Sequence, residues 1–112
     1  FGLWNKMATA FKIVATIPAG TADTVVYTCP IATTAIVKII NVYNSHSGSV
    51  TVLRKITDSS TSVTVILDEN SLAASANSSL TGPFVLEESD TLLVNCTTGG
   101  VISVSASVLE VS

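Results

Sequence analysis

At 112 residues the chain has the size of one domain, long enough to bury a core without structural metals or a set of disulfides. Hydrophobic residues make up 47% and charged residues only 12%, about half the roughly 25% charged fraction of an ordinary soluble domain, so the surface must be covered by Ser and Thr or by a partner. Five Lys and Arg in a chain of net charge −3 argue against direct nucleic-acid binding, which draws on basic side chains neutralising phosphates, and no apolar run reaches the roughly 18 residues that span a bilayer.

The chain opens on Phe1-Gly2-Leu3-Trp4-Asn5-Lys6 and reaches Met7 only afterwards. No basic start leads into a long apolar stretch, so no signal peptide is expected. Residues 1–6 read either as an added end, an unusual upstream start or a processed end ahead of Met7, or as an apolar arm whose Phe1, Leu3 and Trp4 dock on a neighbour. Residues 7–112 are then the folded domain.

From there period-two alternation dominates. Phe11, Ile13, Ala15 and Ile17 alternate with Lys12, Val14 and Thr16, and further strands are expected at Thr24–Thr28, Ala35–Tyr43 and Val50–Thr57, all rich in β-branched residues. Val63, Val65 and Leu67 alternate with Thr64 and Ile66. Short strands follow at Ser79–Leu80 and Phe84–Leu86, then Thr91–Cys96, and last a strand in which Ile102, Val104, Ala106 and Val108 alternate with Ser103, Ser105 and Ser107. Turn chemistry separates them at Pro18-Ala19-Gly20, Asn44–Gly48, Asp58-Ser59-Ser60, Glu87–Asp90 and Thr98-Gly99-Gly100. Only Asn70–Ala76 offers a helical turn, with a loop as the other reading. The pattern predicts an all-β, single antiparallel β-sandwich or jelly-roll-like domain of about eight strands. Asp23–Cys29 and Asp90–Cys96 share Asp, Thr and Cys positions, which reads either as two equivalent strands or as coincidence.

Residues that carry chemistry are few. The single histidine, His46, lies in a Ser/Gly turn, whereas nucleophilic catalysis needs a base beside the nucleophile and a group to orient it; one histidine also speaks against a zinc site. Asp68 with Glu69, and Glu87, Glu88 and Asp90, are candidates for a hard cation or a carboxylate pair, against the simpler reading of soluble turn residues. Cys29 and Cys96 are too few for a disulfide scaffold: buried free thiols are expected, with a Cys29–Cys96 bridge as the alternative. Trp4, Tyr27 and Tyr43 either form a sugar-stacking platform or pack at sheet rims with hydroxyls in water. No catalytic residue, cofactor or metal is assigned, and the chain is not expected to be an enzyme.

Taken together, Met7-Ala8-Thr9-Ala10-Phe11-Lys12-Ile13-Val14, the segment Thr34–Asn44, the run Gly82-Pro83-Phe84-Val85-Leu86-Glu87-Glu88-Ser89-Asp90-Thr91-Leu92 and the ending Val104–Val111 form an arrangement that resembles the small virion structural proteins of tailed phages, including those of marine bacteria. The resemblance runs from Met7 to Val111 and departs at Phe1–Lys6. It implies a copy-rich β-sandwich on the surface of a phage particle, made in the host cytoplasm. The simplest such protein is a capsid decoration (cement) protein, and a neck, tail or fibre component is the alternative. The implied partners are further copies of the chain, as a trimer, and the major capsid protein or another virion protein. A carbohydrate-binding or adhesive β-sandwich module is the reading from a different class. No binding residue is carried over from the family.

Overall fold

The computed structural model describes residues 9–112, and among them every regular element is a strand: β1 (Thr9–Thr16), β2 (Thr24–Thr28), β3 (Thr34–Asn44), β4 (Val50–Asp58), β5 (Val63–Leu72), β6 (Asn77–Leu86), β7 (Thr91–Cys96) and β8 (Ile102–Val111). They form two four-stranded antiparallel sheets, sheet A in the order β1-β8-β3-β6 and sheet B in the order β2-β7-β4-β5. β1 pairs with β8, β2 with β7, β3 with β6 and β4 with β5. That is the pairing of one long hairpin wound over into two layers, the jelly roll. Every connection except β4–β5 carries the chain from one sheet to the other.

The alternation read from the sequence becomes the two faces of each strand. Ala35, Val37, Ile40 and Val42 of β3 and Ile102, Val104, Ala106 and Val108 of β8 point inward from sheet A. They meet Val50 and Val52 of β4 and Leu92, Val94 and Cys96 of β7 from sheet B. Full burial of an aliphatic side chain contributes about 1.5–3 kcal/mol, so this interior is the main source of stability. In β3 the inward phase slips from Val37 to Ile40, and the register shifts between Val37 and Ile39 against both β6 and β8, which leaves Lys38 as the extra, exposed residue of a bulge.

Three details of the sequence reading change. The segments Ser79–Leu80 and Phe84–Leu86 are one strand, β6, continuous through Gly82 and a cis Gly82–Pro83 bond opposite the Lys38 bulge. β6 lies at the edge of sheet A, so the N–H that Pro83 lacks costs no ladder bond on its open side. A Cβ on Gly82 would sit 2.4 Å from the Val37 carbonyl oxygen, so only glycine lets the two backbones approach there. Asn70–Ala76 forms no helical turn: Asn70–Leu72 end β5, and the reversal is made at Ala74–Ser75, where Ser75 takes φ 60°. The two similar segments ending in Cys29 and Cys96 lie side by side as antiparallel neighbours, β2 and β7, which carries their cysteines to opposite ends of sheet B.

Candidate functional site

The residues singled out for chemistry are spread over the molecule. His46 stays in the turn after β3, its backbone N–H donating to Asn44 Oδ1 at 2.9 Å, while the buried Asn44 amide donates to the carbonyls of Gly48, Leu72 and Ala73. Asn44 therefore knits two turns together. Cys29 and Cys96 are buried free thiols, as expected, and burial pushes both thiols up from their ordinary pKa. A bridge between them is ruled out by register. Cys29 donates its backbone N–H to Asp90, at the start of β7, and Cys96 lies six residues further along that strand, about 20 Å at strand rise, far beyond disulfide reach.

Of the acidic group Glu87, Glu88 and Asp90, the structure keeps two together and replaces the third. Ligand atoms of Asp58, Glu87 and Asp90 lie within 4.8 Å of one another, while Glu88 turns away to accept from the Ala32 N–H at 3.1 Å. Both Asp90 oxygens are taken. Oδ1 accepts from the Ser59 N–H and hydroxyl at 2.9 and 3.0 Å, and Oδ2 from the Glu87 N–H at 2.9 Å. Donors of this kind make buried Asp90 a clamp between the β4–β5 and β6–β7 turns. The sugar platform is not assembled: Tyr27 is buried, Tyr43 is exposed on the outside of sheet A, and Trp4 lies outside the described residues, as do Phe1 and Leu3.

Two polar pins inside the sandwich were not foreseen. Arg54 of β4 follows Val50 and Val52 on the inward phase and is 1% exposed. Its Nε and Nη2 donate to the two carboxylate oxygens of Asp68 on β5 at 2.7 and 2.6 Å. Nη1 and Nη2 cross to sheet A, reaching the Ile40 carbonyl at 2.9 Å and the Ser78 hydroxyl at 2.8 Å. The planar guanidinium fork suits this bidentate, fully paired burial. On the opposite side, the Tyr27 hydroxyl of β2 donates to Glu110 Oε2 of β8, and Lys12 of β1 meets Glu110 Oε1 at 3.0 Å. The Tyr27 hydrogen bond, then Lys12, hold the Glu110 carboxyl below its ordinary pKa, while burial, then the neighbouring carboxylate, push the Tyr27 phenol above its own.

Among the described residues the outer face of sheet A has no such partners. The registers of β1, β8, β3 and β6 align Phe11, Leu109, Ile36 and Val85 in one row across all four strands, with Ile13 and Ile39 in the next row. Phe11 is 83% exposed, Ile13 78% and Val85 61%. Lone exposed apolar side chains are ordinary, but a contiguous row is the mark of a contact surface. Further along the same face the rows become Ala15, Ser105, Asn41 and Ser79, then Ser103, Tyr43 and Asn77.

The fold is shared by solved proteins of unrelated sequence. A chain of the infectious bursal disease virus Gx strain structure superposes with a TM-score of 0.57 at 12% identity, over 95% of the present chain and 32% of that one. A chain of the acid-stable capsid of the Helicobacter pylori bacteriophage KHP30 gives 0.56 at 8% identity, over 95% and 93%. The Drosophila NLP core, solved for its pentamer formation and histone binding, gives 0.56 at 11% identity, over 88% and 97%. Likeness at such identities shows a common fold and nothing further. No protein-family model and no curated protein matches the chain.

Proposed function

We propose that the chain is a non-enzymatic structural subunit of a virus particle, most specifically a decoration (cement) protein of a tailed-phage head. The observation that carries this reading is the uncovered apolar row Phe11, Leu109, Ile36 and Val85, which runs across sheet A to both of its open edge strands, β1 and β6. A second copy placed edge to edge continues that row. Because β1 and β6 are different surfaces, the contact is head-to-tail, a kind that gives a ring when the rotation between copies closes and an open filament when it does not; a closed trimer is the assembly proposed here. A phage-capsid chain of the same fold and nearly the same extent supplies the setting. Phe1, Leu3 and Trp4 are proposed as an additional contact to a neighbouring subunit. Cement action asks for contact area alone, because apolar burial at about 25 cal/mol per Å² repeats over every copy, offset in part by the entropy of association.

Two measurements test the reading. Phage particles stripped of the chain are expected to lose resistance to heating; stripped particles as stable as complete ones contradict a cement role. Class averages of the purified oligomer in negative stain are expected to show threefold symmetry, whereas a six- or twelvefold ring moves the chain to the neck or tail.

A further inference from the structure

The far half of the outer face of sheet A carries a groove of about 510 Å³, bounded by Ile17 beyond the end of β1 on one side and by Tyr43 of β3 on the other, with Ser103 and Ser105 of β8 as its floor. Asn41 and Asn77 close the β3–β6 side. None of its lining residues is charged. Lys12 and Lys38 line a separate groove of about 340 Å³ with Phe11 and Ile13.

We propose that this groove binds a short, uncharged glycan, a site independent of the particle reading above. Three observations select that ligand class. The volume lies within the usual range for a small-molecule site, roughly 300–1,000 Å³. The walls offer one aromatic ring and one aliphatic side chain, Tyr43 at 42% and Ile17 at 58% exposure; the electron-rich face of the ring attracts the polarised C–H groups on the flat side of a sugar. The floor and the β3–β6 side supply small neutral donors and acceptors from Ser103, Ser105, Asn41 and Asn77, matched to hydroxyls. Asn41 is held in place through its Oδ1, which accepts from the Ser79 hydroxyl, leaving its amide N–H groups to donate. Among the described lining residues an anionic ligand would find no cation, and a cationic one no carboxylate. The Tyr43 row lies about 20 Å along the strands from the Phe11 row, so glycan and neighbouring subunit can be held together.

The test uses the full chain on an array of neutral and acidic oligosaccharides, with each hit then titrated by calorimetry against the chain, against Tyr43→Ala and Ser105→Leu, and against Phe11→Ser as control. The expected result is a neutral hit whose affinity falls about tenfold or more in Tyr43→Ala and in Ser105→Leu. Thermal unfolding should be unchanged in both, and Phe11→Ser should bind as the parent does. An array with no neutral hit, hits confined to acidic glycans, or a neutral hit indifferent to both groove variants overturns the proposal. Because the readout is binding, not oligomer size, its failure is separate from failure of the assembly reading.

Discussion

Among the described residues each buried charge inside the sandwich is met by a partner, and the apolar side chains on the outer face of sheet A are met by none. Arg54 and Asp68 face each other with their hydrogen bonds filled, and Glu110 is held between Tyr27 and Lys12. Phe11, Ile13 and Val85 stand more than half exposed on the outer side of sheet A, the sheet that carries Glu110. In a chain with five basic and eight acidic residues, the allocation is informative. Arg54 and Glu110 fasten sheet to sheet, and few charges are left to solubilise the face proposed to meet another subunit.

That contrast predicts opposite outcomes for substitutions on the two sides. The largest effect is expected for Asp68→Ala, which strands the guanidinium of Arg54 in the interior and should cost about 3–5 kcal/mol in urea unfolding. Arg54→Met, which removes the charge and keeps an apolar stem, should cost clearly less. Equal losses would show that packing of the Arg54 stem, not its charge, holds the sheets. Tyr27→Phe removes the hydrogen bond to Glu110 and is expected to cost about 1.5–3 kcal/mol, the usual worth of a bond to a charged group.

The same pin sets a pH dependence. The Glu110 carboxyl is held below its unfolded value, so its stabilisation is fully present above the unfolded pKa, near 4.5, and is lost as pH falls through the lower folded value. Glu110→Gln should flatten that acid limb of the stability profile; an unchanged slope would assign it to other carboxylates. The smallest effect on folding is expected on the outer face. Phe11→Ser with Ile13→Ser should shift unfolding by no more than about 0.5 kcal/mol per site, the usual scale for surface changes, while removing self-association.

Much of the fold was legible because strand alternation and turn residues are local signals. Every segment predicted as strand is strand, with Ser79–Leu80 and Phe84–Leu86 joined into one, and the eight-stranded sandwich follows from their spacing. The pairing of β1 with β8 and β2 with β7 was not legible, since it joins segments far apart in the chain and no local residue specifies it. Gly82-Pro83 read as a break because proline removes a ladder donor, which is harmless at the edge position β6 takes. In the sequence Arg54 counted only as one of five Lys and Arg that speak against nucleic-acid binding. The signal that could have found it was its phase: it continues the inward series Val50, Val52, and an arginine there requires a partner. The apolar row was invisible for the same reason as the pairing, because Phe11, Ile36, Val85 and Leu109 become neighbours only once four strands are in register.

Whether the outer apolar row of sheet A is an assembly surface is decided by light scattering on the full chain and on the Phe11→Ser, Ile13→Ser variant across a dilution series. A closed oligomer, a trimer, is expected for the parent and a folded monomer for the variant. A parent that stays monomeric at high concentration, or a variant that retains the parent's mass, contradicts it.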